Sequence, residues 1–227
     1  MKPRNKEDKE KPSKDSQKAS SKKSKLRSFF GNIWYFIWEE NSIWSWIVNI
    51  ILAFILIKFI VYPGLGLILG TGYPVVAVVS GSMEHDTSFD DWWHGQETFY
   101  QPYNITRSQF EKFPLHNGFN RGDIIVLTRA VPENLKIGDV IVFKSKRPDP
   151  IIHRVVSKWS EGDVYYFATK GDHNAFSIKD YAYDGSKILD ETNIPQQDLL
   201  GKAQIKIPWL GYIKIWFVDL INFILRK

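Results

Sequence analysis

Two serines flank a glycine where an apolar, β-branched run stops, in YPVVAVVSGSMEHD, residues 73–86. A hydroxyl at the end of a stiff strand is either a turn residue or a nucleophile. A serine nucleophile needs a base to take its proton and donors to hold the oxyanion. His153, in the middle of IIHRVV, is a candidate base, although a lone histidine on a strand is commonly an ordinary packed or surface residue. Asp172, in TKGDHN, sits in a Gly-Asp turn, where an aspartate ordinarily makes a local bond. The case for chemistry rests on the three together, in one β-patterned region beside a membrane-like segment. The five histidines (His85, His94, His116, His153, His173) form neither H-E-x-x-H nor H-x-H, so spacing gives a metal site no support. The chain has no cysteine, which excludes disulfides, thiolate metal sites and cysteine nucleophiles. No cofactor is implied, since serine acyl transfer needs none.

The elements that must position these residues follow from hydropathy. IWSWIVNIILAFILIKFIVY, residues 43–62, is long enough at about 1.5 Å per residue to cross the hydrocarbon core of a bilayer. It is too long, and too far from the N-terminus, for a cleaved signal peptide. Pro63 and Gly64 are expected to break or kink it, with the apolar character continuing to residue 70. FFGNIWYFIW, residues 29–38, is too short to span and suits the interface within a 29–42 aromatic segment; Trp34, Trp38, Trp44 and Trp46 lie where an interfacial belt would stand. Residues 1–28 hold eleven Lys/Arg against four Asp/Glu, and the remaining chain nineteen against twenty-one. The basic surplus is therefore a disordered tail, either solvated or touching anionic lipid, and not a nucleic-acid-binding face. By the positive-inside rule this tail is cytoplasmic and everything after residue 63 extracytoplasmic, unless the C-terminus crosses back.

Beyond the span, residues 71–207 read as an all-β domain of short strands. VVAVVS (75–80), DIIVLTR (123–129), DVIVFK (139–144), IIHRVVS (151–157), VYYFATK (164–170) and AQIKI (203–207) are separated by turn signals such as RGD, IGD, RPDP and EGD. Residues 86–120 interrupt the pattern as a long aromatic-rich insertion, functional if ordered. Asn104-Ile105-Thr106 within it is a possible glycosylation acceptor. Residues 208–227 are again apolar and aromatic, reading as an interfacial amphipathic helix, with a second crossing as the competitor.

In order after an N-terminal span, VVSGSME, GDVIVF, IIHRVV and TKGDHN resemble the type I signal peptidases, specifically the archaeal and endoplasmic-reticulum branch with a histidine base. The resemblance covers roughly residues 43–85 and 122–215. It implies a mainly β, signal-peptidase-like catalytic domain anchored by an N-terminal transmembrane helix and followed by a C-terminal apolar helix. It implies that Ser82 is the nucleophile and His153 the general base. Asp172 would orient or charge the histidine, and Asp180 would be a further aspartate of the family pattern. Ser80 would assist the oxyanion hole with the Ser82 N–H, and Met83 would pack beside the site. His85 departs from the pattern, standing where many relatives carry proline, and the 86–120 insertion has no counterpart. Arg154, by strand alternation, is expected on the face away from His153.

The chemistry suits the residue types. A histidine ordinarily titrates near pH ~6.5 and a lysine near ~10.4, so a histidine base needs no deep burial to work at neutral pH. The expected reaction is removal of signal peptides from secretory preproteins at the outer membrane surface. The strand Pro74–Ser80 would pair with the extended substrate, and Val76, Val78 and Met83 would bind it. Membrane lipid and Sec translocon or peptidase-complex subunits are the other partners. Rival readings are a non-catalytic preprotein-binding subunit, a serine protease for another class of membrane-anchored precursor, and an anchored adhesion domain. The polybasic tail and lack of cysteine lean towards a prokaryotic cell membrane, crossed once or twice.

Overall fold

The computed structural model describes residues 27–28, 31–32, 34–36, 38–40, 42–212, 215–216 and 223. The chain divides into two compact units, residues 1–61 and 62–227. The expected basic tail lies almost wholly outside the described residues, as does most of the expected C-terminal helix.

In the first unit, Ser42 caps helix α1 (Ile43–Leu56): its hydroxyl accepts the Ser45 N–H at 3.1 Å. The Ser45 hydroxyl donates to the Phe36 carbonyl at 2.6 Å, tying the start of α1 to the preceding aromatic segment. Most of the apolar side chains of α1 are exposed, as a lipid-facing helix requires. A π-helical turn, Ile57–Val61, follows.

Helix α2 (Tyr62–Leu69) continues from that turn, so Ile43–Leu69 is one stretch of 27 residues long and apolar enough to cross a membrane. Of the break or kink expected at Pro63 and Gly64, the structure shows no break: the helix runs on through Pro63. Its missing N–H would leave a carbonyl one turn earlier unpaired, and the hydrogen-bond ladder changes register at that turn.

The second unit is mainly β, as expected. An antiparallel seven-stranded sheet runs in the order β1-β2-β9-β3-β4-β5-β8. The strands are β1 (Val75–Ala77), β2 (Ile124–Thr128), β3 (Val140–Phe143), β4 (Ile151–Glu161), β5 (Val164–Lys170), β8 (Ile194–Pro195) and β9 (Leu199–Ile207). A separate hairpin pairs β6 (Lys179–Tyr181) with β7 (Lys187–Asp190). β9 inserts between β2 and β3, so a strand from the end of the domain joins its two halves. β1 is an edge strand that ends at Ala77, three residues short of the strand 75–80 expected from sequence. Beyond it, the Val78 N–H donates to the Asp123 carbonyl and Val78 accepts from the Gly122 N–H, both at 2.9 Å, so the chain stays tethered to the start of β2.

Residues 86–120 fold into helices, where the sequence suggested only a long aromatic segment. Ser88 caps α3 (Phe89–Tyr100), with Asp90 and Asp91 in its first turn, favourable for the helix dipole. Thr106 and Gln109 form a capping box at the short α4 (Arg107–Phe110). Trp92, Trp93, Tyr100, Ile105 and Phe110 are buried against Val156 and Ala168 of β4 and β5. The insertion thus supplies a second core layer on one face of the sheet. A separate cluster on Ile141, Phe143, Val155 and Phe167 takes in Leu189 and Ile194.

Gly138 joins insertion and sheet. Its φ of 92° is a conformation that favours glycine, and a Cβ there would run into the Phe113 ring. Gly138→Ala is expected to destabilise the protein by about 2–3 kcal/mol through that strain and clash, seen as a lower denaturation midpoint with an unchanged slope.

Candidate active site

Ser82 follows β1 in a turn, and His153 lies in β4, opposite Ile141 of β3. The Ser82 hydroxyl is 2.9 Å from His153 Nε2. Ser80 Oγ lies 3.2 Å from Ser82 Oγ. The imidazole is 3 % exposed, while Ser82 is half-buried and Ser80 open to solvent. The imidazole is thus enclosed beneath an accessible hydroxyl.

The carboxylate against His153 Nδ1 belongs to Glu191, immediately after β7. Glu191 is fully buried, and its acceptors are otherwise filled. Oε1 also accepts from Thr169 Oγ1 at 2.9 Å and Oε2 from the Ile178 N–H at 2.6 Å. Its backbone is pinned too, with Thr169 N–H donating to the Glu191 carbonyl and the Glu191 N–H to the Ile178 carbonyl. A carboxylate held this way requires Nδ1 to carry the proton, which leaves Nε2 bare towards Ser82.

The structure does not bring Asp172 to His153, as sequence reasoning expected. Alternation explains why. Lys170 stands opposite Arg154 across the β4–β5 pair, and Thr169 opposite Val155. The face of His153 therefore receives Thr169 and Gly171, and Asp172 falls on the face of Arg154. Arg154 was correctly expected to point away from His153, but its partner was not foreseen. Its Nε donates to Asp172 Oδ1 at 2.9 Å and its Nη2 to Oδ2 at 2.6 Å. The remaining donors reach the carbonyls of Pro114, Gly138 and Leu115 at 2.8–2.9 Å. The guanidinium also lies over the Phe110 ring, 4.7 Å from its centre. His85 Nε2 completes the cluster, 3.2 Å from Asp172 Oδ2.

Asp180 is also apart from the site. It sits half-exposed on β6, paired with Arg147 at 3.0 Å. The substrate-binding expectation divides likewise. Val78 and Met83 are buried in the core with Phe119, Ile125 and Leu127, and only Val76 is partly open. Glu191 was missed from sequence, yet one signal was present: in ILDE, Leu189 and Glu191 alternate inward. Gly171 has its own reason. A Cβ there would lie 2.6 Å from the Ser82 carbonyl and 2.8 Å from His153 Nε2.

Burial pushes the Asp172 carboxyl up, but the Arg154 charge and the hydrogen bonds from His85 and Arg154 outweigh it and hold the group below the usual carboxylate range. Burial likewise opposes the Arg154 charge, and Asp172 more than restores it. Asp172→Asn is therefore expected to cost about 3–5 kcal/mol at neutral pH, because Arg154 is left as an uncompensated buried charge. A carboxylate whose pKa is lower folded than unfolded stabilises fully above its unfolded value and loses that contribution as pH falls through its folded value. The gap between wild type and variant should accordingly narrow on acidification below pH ~4, read from urea unfolding across a pH series.

No established protein-family profile matches the chain. Comparison with characterised proteins does find relatives. The signal peptidase complex catalytic subunit SEC11 of Fusarium vanettenii is 28 % identical over 159 residues, covering 69 % of this chain and 71 % of the relative. The protein of the same name from Scheffersomyces stipitis is 28 % identical over 166 residues, 73 % of this chain and 78 % of the relative. Signal peptidase complex catalytic subunit SEC11C of Canis lupus familiaris is 27 % identical over 166 residues, 72 % and 67 % of the two chains. These relatives are fungal and mammalian, so the prokaryotic lean of the tail and composition finds no support in them. The chain is a homologue of the catalytic subunits of the eukaryotic signal peptidase complex.

Proposed function

We propose that this protein is a membrane-anchored serine endopeptidase that removes signal peptides from secretory preproteins, working through Ser82, His153 and Glu191. The observation that carries this reading is the unbroken contact series from the Ser82 hydroxyl to His153 Nε2 and from Nδ1 to the buried Glu191. The homology to signal peptidase catalytic subunits supplies the substrate class.

In the first step Ser82 Oγ attacks the scissile carbonyl as its proton passes to His153 Nε2. Glu191 stabilises the imidazolium and keeps its orientation. The Ser82 N–H and the Ser80 hydroxyl would hold the oxyanion. His153 then gives its proton to the departing amine, the chain beyond the cut leaves, and an acyl ester on Ser82 remains. A water, deprotonated by His153, attacks the ester, and the signal peptide departs with a new carboxylate as the proton returns to Ser82.

The apolar helix Ile43–Leu69 fits a single-pass anchor. With the basic tail cytoplasmic, the catalytic domain would lie on the far side, where signal peptides emerge. The free edge of β1 would receive the extended substrate by strand addition, next to Ser82. The relatives are named as subunits of a complex, and partner subunits or a Sec-type translocon are the corresponding partners here.

The test is cleavage of a preprotein by the purified chain in detergent or liposomes. Wild type is expected to release the mature protein. Ser82→Ala and His153→Ala should each lower kcat roughly 10⁴-fold or more. Glu191→Gln should lower it roughly 10²- to 10⁴-fold, because the imidazole loses the carboxylate that fixes its tautomer. Full activity in Ser82→Ala would overturn the assignment, and a wild type that binds but never cuts would point to a preprotein-binding subunit.

A further inference from the structure

The turn that follows β5 touches the proposed nucleophile directly. The His173 N–H donates to the Ser82 carbonyl at 3.0 Å, and the Asp172 N–H reaches the Met83 sulfur at 3.4 Å. Gly171 packs against both the Ser82 carbonyl and His153. A small shift of residues 171–173 would therefore change the Ser82–His153 distance.

The other side of the same turn is held by the insertion. Trp92 Nε1 of α3 donates to the Asp172 carbonyl at 3.2 Å. The same indole stacks on His85, centroids 3.7 Å apart, and His85 reaches the Asp172 carboxylate. Lys170 closes the arrangement. Its ammonium donates to the Gly171 carbonyl at 3.0 Å and the Asp172 carbonyl at 3.2 Å. It sits 5.1 Å from the ring centres of both Phe99 and Tyr100, at the end of α3. The side chain is fully buried.

We infer that the 86–120 insertion clamps the 171–173 turn against Ser82, with Lys170 and Trp92 as positioning residues for the Ser82–His153 pair. This rests on the serine endopeptidase reading above. A lysine is a poor choice for filling an aromatic core. Burial is the largest influence on its ammonium, which titrates at about 8; Arg154 lowers it further, while Asp172 and Glu191 partly oppose. An apolar residue of the same length would fill the space without that penalty. What only the ammonium provides is a pair of strong donors to two adjacent carbonyls, aimed by two rings that belong to the insertion. The charge is kept where it fixes the backbone nearest the nucleophile.

The test compares full-length wild type, Lys170→Met and Trp92→Phe in detergent. Both substitutions keep the apolar bulk and remove donors. Lys170→Met is expected to lower kcat by about tenfold or more with KM essentially unchanged, since misplacement of reacting groups costs rate and not binding. Trp92→Phe should lower kcat by about threefold, one neutral hydrogen bond being lost. Amide exchange should accelerate in a peptide covering 171–178 while the β2 and β9 peptides stay protected. Wild-type kcat in a folded Lys170→Met, or losses confined to KM, would overturn the inference. Should Lys170→Met fail to fold, unchanged kcat and exchange in Trp92→Phe would do the same. If the wild type cuts no preprotein, the peptidase reading fails. The exchange arm still decides the clamp: faster exchange at 171–178 in the variants sustains it, and unchanged exchange removes it.

Discussion

A single buried guanidinium organises the catalytic half of this protein. Arg154 uses all of its donors on a carboxylate and three backbone carbonyls drawn from three places in the chain. An unpaired charge at that depth would be far too costly to keep, so each partner has to arrive in position for the domain to fold. The partners are the 171–173 turn, the end of the aromatic insertion and the bend before β3. Arg154 therefore couples the insertion to the sheet and both to the turn that abuts Ser82.

The neighbouring residue, His153, lies on the opposite face of the same strand and faces a different carboxylate. Two ionic systems thus occupy adjacent positions without sharing a group: Arg154–Asp172–His85 on one face and His153–Glu191 on the other. The sheet lies between the two clusters, and the glycine at 171 lets the two layers meet closely at Ser82.

The insertion gives the protein a second apolar core. Stacked and tilted aromatic pairs among Trp92, Trp93, Tyr100 and Phe110 fill it, and β4 and β5 form its floor. The two strands that present His153 and the 171–173 turn are thereby covered on one side, so neither relies on strand pairing alone for its placement.

Much of this was legible in the sequence. Period-two runs announced β2 to β5, and the long apolar stretch with its flanking tryptophans announced the anchor, because those signals follow from burial of individual side chains. The short β6 and β8 carried too few residues to show a period, and the helices of the insertion were hidden by aromatics, although Ser88 and the Thr106–Gln109 pair stood ready as caps. At the candidate site, residue type and order singled out Ser82 and His153, which the structure brings to 2.9 Å. The carboxylate against the imidazole was not foreseen. Asp172 sits in a conspicuous turn, but which carboxylate meets the imidazole depends on which face of β5 each residue takes and on where the β6–β7 hairpin folds back. Local sequence determines what a side chain can do. Only the tertiary structure, through strand parity and the return of the chain after β7, decided that Glu191 stands behind His153 and that Asp172 belongs to Arg154.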